Sequence, residues 1–372
     1  MAKFGGTLGK NKVLFSEATG ALYNMILNQE VESRTIGSGM ASLVEENTRD
    51  VGLYGDRILK YFTDILTVYD YEADSTDQLN VLKTYRPKAP VCEQIVIDTA
   101  KFIPVTLDNY LTKQGFSDET TFGQFNSVME SWLKNTKKVY LAKEYNAFLG
   151  TVQTLKGNQY SADLIFGEAT DEAGKRMEAQ NLAKKIADTV VAMTNDASRD
   201  YNDLGIEACY NIEDLILLMP SEIWNQITIQ DIPTIYHDDR VMEVLKKNVR
   251  LLPQKYFGDL VVEGTQNVTA SGNDYRFLHQ TVVNGKVYMA GDFIPGQTKI
   301  TDSAGQLLIP AYGGPGPLAK IYHKDAMPVL AGFETQTEFW NPSNLSRNDY
   351  LHFLYNSFDR FTGYPLVTID KA

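Results

Sequence analysis

Apolar residues recur at steps of three and four along some stretches of this chain and alternate along others, so the pattern divides the chain into helices and strands. The longest helical pattern runs from Phe122 to Leu155. Phe122, Phe125, Met129, Trp132, Val139, Ala142, Leu149 and Val152 share one stripe, with Thr136 in line. Thr121 and Gln124 have capping-box spacing and Gly157 is a natural stop, while Gly150 is expected to kink or fray the end. At roughly 1.5 Å per residue the helix would span about 50 Å, with Phe125 and Trp132 in the core.

Three shorter patterns also read as helical. Val51, Tyr54, Ile58, Phe62 and Ile65 predict a helix over 47–66 capped by Asn47. Ala179, Leu182, Ile186, Val190 and Met193 predict one over 171–194. Val241 to Lys247 predicts a short one.

Strand-like runs fill most of the rest. Leu66 to Tyr71 reads as a strand, and Leu79 to Tyr85 and Val91 to Asp98 as a hairpin whose tip is Arg86-Pro87-Lys88-Ala89-Pro90. Such a hairpin buries little of itself and must lie on its own domain or reach another subunit. Ile212 to Met219 is apolar enough for a buried strand, and Pro220-Ser221 then opens a short helix. Asn284-Gly285 joins Phe277–Val283 to Lys286–Ala290 as a hairpin turn. Tyr350 to Phe361 fits helix or strand, and Leu366 to Ile369 closes the chain as a strand. Residues 1–46 are rich in Gly, Ser, Thr and Asn with no sustained period, and read as an extended arm ordered against a neighbour. The order is arm, helix, hairpin, long helix, mixed lobe and terminal strands. That is α+β, without βαβ alternation or internal repeat.

Composition narrows the function more than the fold. The chain has 372 residues, is 43% hydrophobic and carries a formal net charge of -12. An acidic surface does not neutralise phosphates overall. The basic groups Lys134, Lys137, Lys138 and Lys246, Lys247, Arg250 read as solvated helix faces. Cys92 and Cys209 sit in apolar runs and are expected to be buried free thiols, in a reducing cytoplasm. Neither a signal-peptide pattern nor an apolar stretch of membrane-spanning length is present. Asn267-Val268-Thr269 and Asn344-Leu345-Ser346 are then chance glycosylation matches.

The search for chemistry returns weak matches. Gly5 to Lys10 resembles a phosphate loop but has Phe4 where a glycine is needed and Asn11 where a hydroxyl is needed. Gly313 to Pro317 is broken by prolines and reads as a rigid loop. His237-Asp238-Asp239 lacks the alternate spacing of a calcium loop, and Glu45-Glu46 is too generic for acid–base roles. No catalytic, cofactor or metal residue is assigned.

The order of elements resembles the major capsid proteins of tailed bacteriophages, the Hong Kong 97-like fold. Residues 1–46 match its N-terminal arm. Leu79 to Leu107 matches its extended loop, Phe122 to Leu155 its spine helix, and Glu213 to Trp224 a strand-then-helix element of its axial domain. The segment Ala319 to Pro328 is also similar. The resemblance implies a joining helix at 47–66, an extended loop at 67–110 and a peripheral domain at 111–170 with its spine at 122–155. It further implies an axial domain at 171–330 and returning strands at 331–372. It implies no catalysis and no cofactor. It implies an icosahedral shell of pentamers and hexamers around double-stranded DNA, held without sequence-specific contact. Such a protein is made in the host cytoplasm and resides in the virion. Scaffolding, portal and decoration proteins would be separate partners, no membrane is involved, and Arg86, Pro87, Lys88 and Pro90 would contact another subunit. An encapsulin-like compartment shares the fold and differs in cargo. A soluble hydrolase or binding protein with an internal strut predicts a small oligomer, and a collar or portal component predicts a ring.

Overall fold

Strand β5 (Leu215–Pro220) is buried at every position, because helices cover both faces of the sheet it belongs to. Leu215, Leu217 and Met219 face one core, and Ile216 and Leu218 face another. The computed structural model describes residues 38–68, 84–108, 119–155, 164–229, 248–260, 274–296, 298, 300, 308–314, 316–343 and 346–371.

The β5 sheet has the order β15 (Leu366–Ile369), β12 (Ala319–His323), β5 and β6 (Val249–Leu252), with only the β5–β6 pair parallel. A second sheet has the order β1 (Thr48–Gly52), β13 (Val329–Asn341), β14 (Ser346–Tyr355) and β4 (Thr99–Asp108). A two-stranded ribbon pairs β2 (Arg57–Phe62) with β3 (Val91–Val96). A small sheet joins β7 (Asp259–Leu260), β11 (Ala311–Gly313) and β8 (Tyr275–Phe277), beside the hairpin of β9 (Thr281–Val283) and β10 (Lys286–Tyr288). The described helices of eight or more residues are α1 (Ser38–Asn47), α2 (Glu119–Thr151), α3 (Glu172–Asn195) and α4 (Ser221–Ile229).

Helix α2 is the long helix that the pattern predicts, shifted toward the N-terminus by three to four residues. Thr121 therefore lies inside its first turn rather than at its cap. Phe122 and Phe125 lie outside the described side chains, and Gly157 lies outside the described residues. The buried stripe is Met129, Leu133, Tyr140 and Ala142, then every residue from Glu144 to Ala147 and from Leu149 to Thr151. Trp132, expected in the core, is 42% exposed, because it stands one position off that stripe. Gly150 neither kinks nor frays the helix. A Cβ there would lie 1.8 Å from the Tyr256 carbonyl oxygen, so glycine is what lets the 254–256 turn press against the last turn.

Helix α3 matches its pattern closely. Ala179, Leu182, Ile186, Val190 and Met193 are all buried against β5, and Asp171 caps it by accepting from the Gly174 amide. Asn284 and Gly285 both adopt positive φ, 52° and 77°, as an Asn-Gly hairpin turn requires. Val241 to Lys247 and His237-Asp238-Asp239 lie outside the described residues, as does Gly5 to Lys10.

The helix expected over 47–66 is not formed, and the order of helix and strand there is reversed. Asn47 ends α1 instead of starting a helix, and its side-chain amide donates to the Leu43 carbonyl at 2.8 Å. The next residues form β1, a turn and β2. Gly52 and Gly55 take φ of 126° and 90°, which no right-handed helix contains. The three-and-four spacing of Val51 to Ile65 coincided with a period of two, in which Ile58, Lys60 and Phe62 turn inward and Leu59 and Tyr61 outward.

The expected arm is likewise part helix: α1 buries Ala41, Leu43 and Val44 against α2 and β5. Residues 1–37 lie outside the described residues. Glu46 of α1 pairs with Arg250, and Glu45 with Lys138 at 2.8 Å. Lys137 pairs with Glu334. Lys137, Lys138 and Arg250 are thus carboxylate partners rather than a free basic face, and Arg250 is on strand β6. Cys92 and Cys209, expected to be buried, are both free and exposed.

Candidate assembly interface

Among the described residues the two-stranded ribbon has only one covered face. Ile95, Ile97, Leu330 and Phe361 form a small core there, with Ile58 and Phe62 packed on it. Phe62 meets Tyr364 edge-on at 5.3 Å between ring centres, and Gly363 is bare because a Cβ would stand 2.4 Å from the Phe62 ring. Glu93 accepts from the Thr362 hydroxyl and from the Gly363 amide. Lys60 lies over the Tyr364 ring. The chain segment 361–364 therefore grips the inner face by apolar, polar and ring contacts together.

The outer face has no such cover. Leu59, Tyr61 and Cys92 point away from the core. Leu53 and Tyr54 stand out at the preceding turn, and Ile65, Leu66, Val68 and Tyr85 on the segments leaving the ribbon. Nine of the 24 large apolar side chains exposed among the described residues fall between Leu53 and Val91. A concentration of exposed apolar side chains in one part of the chain points to a binding surface on a folded protein. Neither ribbon strand has a second partner strand among the described residues, so both edges are open to pairing.

One carboxylate ties the base of this arm to the rest of the molecule. Asp64 accepts from Lys88 Nζ and from Arg199 Nη1, each at 2.8 Å. It also accepts from the amides of Ile65 and Glu207. Lys88, opposed by burial and joined by Arg199 and the two amides, holds the Asp64 carboxyl well below the usual carboxylate range. Arg199 pairs in addition with Glu207 at 3.1 Å. The 196–210 segment is itself fixed, since Asp203 pairs with buried Arg360 and its amide donates to the Thr362 carbonyl.

The predicted contact residues fall in this region. Among the described residues Val91–Val96 pairs with Arg57–Phe62. Of the expected partner Leu79–Tyr85 only Thr84 and Tyr85 are described, and neither is in a strand. Arg86, Pro87, Lys88 and Pro90 are all exposed, immediately before β3. Pairing of Lys88 with Asp64 places it at the base of the loop. Sequence reasoning passed over Leu59, Tyr61 and Asp64. Burial alternates strictly from Arg57 to Phe62, but Arg-Ile-Leu-Lys-Tyr-Phe does not alternate in polarity, so the sequence carried no clean signal for them.

Among the described residues no group of three or more His, Cys, Asp or Glu side chains is placed to hold a metal ion, and no helix is long and apolar enough to cross a membrane.

Comparison with known proteins adds a family and a fold. The family model of the Phi29-like phage major capsid protein matches residues 1–357. No curated protein matches the chain. A chain from the capsid structure of Staphylococcus phage Andhra is similar, with 14% identity, a TM-score of 0.58 and coverage of 87% of this chain and 83% of that one. A chain from a structure of the head fibre and inner core protein of native bacteriophage P68 is similar at 13% identity and a TM-score of 0.55, covering 87% and 86%.

Proposed function

We propose, from the premise that the chain belongs to the Phi29-like phage major capsid protein family, that the β2–β3 ribbon and its loop are the arm by which each copy grips the next. The protein is a structural protein of the virion, and its copies associate into the capsid shell. The observation that supports a gripping ribbon is the concentration of exposed apolar side chains between Leu53 and Val91, on an element with one covered face. An arm of this kind meets a different surface on its neighbour. Such heterologous contacts close into rings, here pentamers and hexamers of an icosahedral shell. Arg86, Pro87, Lys88 and Pro90 flank the arm and contact the neighbouring copy.

In this reading the genome is enclosed without sequence-specific binding, because a net charge of -12 disfavours tight phosphate contact over the whole surface. Scaffolding, portal and decoration proteins act on the shell as separate chains, and the subunit carries out no catalysis. Family membership favours this over an encapsulin-like compartment or a soluble hydrolase.

The test is the double variant Leu59→Asp/Tyr61→Asp. Both positions are exposed, so stability should change by no more than about 1 kcal/mol in total. The expected result is a folded subunit, by circular dichroism and melting, that yields no shells in electron micrographs. Shells at wild-type yield would overturn the proposal.

A further inference from the structure

Lys320 is 1% exposed in the middle of strand β12, between Leu218 of β5 and Thr368 of β15. Its ammonium has three protons, and three carbonyl oxygens receive them. Nζ donates to Leu149 at 3.1 Å, Gly150 at 2.8 Å and Val152 at 2.6 Å. Leu149 and Gly150 are in the last turn of α2 and Val152 follows it directly, so these are groups a helix end leaves without partners of its own. They also form the negative end of the dipole of a 33-residue helix. Asp370 and Asp259 act on it as opposite charges and Arg360 as a like charge. Burial draws the lysine down to about 7 from its ordinary value, with Asp370 and Asp259 acting against the fall and Arg360 with it.

A buried lysine with no salt-bridge partner is costly unless hydrogen bonds satisfy it, and here the helix terminus does so completely. On the opposite side the Tyr256 carbonyl presses on Gly150, so the last turn is held from two directions. Three parts of the fold therefore meet at one point: the long helix, the β5 sheet, and the 254–256 turn leading into the small sheet.

We propose that Lys320 is a cationic pin that sets the join between the long helix and the β5 sheet, and that the curvature of the shell depends on it. A helix of about 50 Å turns a small change of angle at one end into several ångströms at the other. A loose join would let copies meet at variable angles. This inference rests on family membership and not on the role given to the ribbon. Ribbon variants stop assembly and leave the join intact, whereas a pin variant loosens the join and alters the shells.

The first measurement uses the unaltered full chain. Hydrogen exchange of the amides at 149–152 should be as slow, within about tenfold, as that of 142–147 in the middle of the buried half. Exchange a hundredfold faster or more, as at a frayed end, would overturn the proposal whatever the variants do. The second compares Lys320→Met with Lys320→Arg. Met should speed exchange at 149–152 at least tenfold and give shells of mixed diameter or unclosed sheets. Arg should retain closed shells of wild-type diameter. Met shells of wild-type diameter with unchanged exchange would also overturn it.

Discussion

Asp64 joins four donors from three chain segments, and no two of the side chains involved are close in sequence. Its depressed ionisation gives a sign to the pH dependence. The folded carboxyl ionises more readily than the unfolded one, so its contribution is complete above about pH 4 and is lost as acid protonates the folded form. Asp64→Asn should therefore free Lys88 and speed cleavage of the 63–90 segment by an exposed-loop protease several-fold at neutral pH. The difference from wild type should shrink progressively below about pH 4. A constant difference across that range would assign the effect to something other than the carboxylate's charge.

Gly150 gives a second prediction at this scale. A methyl group 1.8 Å from the Tyr256 oxygen cannot be absorbed by a side-chain rotation, since both partners are backbone. Gly150→Ala should cost about 3 kcal/mol, read as a lower denaturation midpoint with an unchanged denaturant slope.

Elements were readable wherever one periodicity dominated a long run. Helix α3 declared itself because its five stripe residues all meet one core, with Asp171 at the start. Strand β5 declared itself by being apolar throughout, which fits its place between two helical layers. The segment after Asn47 did not, because five apolar residues satisfied a three-and-four spacing, and Ile58 and Phe62, four apart, share a face in a strand as well as in a helix. Only the left-handed backbone at Gly52 and Gly55 decides between them, and glycine in a sequence does not report its φ. Strand pairing was less legible still. Val91–Val96 has two upstream runs of suitable length, and its choice of Arg57–Phe62 depends on packing against Leu330 and Phe361, far along the chain. The Asn284-Gly285 turn was legible because local chemistry alone fixes it. Gly285→Ala should cost about 1 kcal/mol through its positive φ, measured as faster exchange confined to the β9–β10 hairpin.

At the scale of the whole molecule, the resemblance to phage capsid proteins came from the order of elements, and no short motif carried it. That order survives the errors within it: an exposed ribbon, then a long helix, then a mixed lobe whose sheet the helix covers. Asp64 and Lys320 were not legible, because Arg199 and Glu207 for the one, and the helix-end carbonyls for the other, lie more than 130 residues away and only the fold brings them near. Lone charged residues at those positions look like any others in an acidic chain.

The central claim is that the outer face of the ribbon is covered by a neighbouring copy in the shell. A cryo-electron-microscopy map of assembled wild-type shells tests this most directly. The account predicts Leu59, Tyr61 and Cys92 packed against another copy at every position in the shell. A map in which these three side chains face solvent at every position would contradict it.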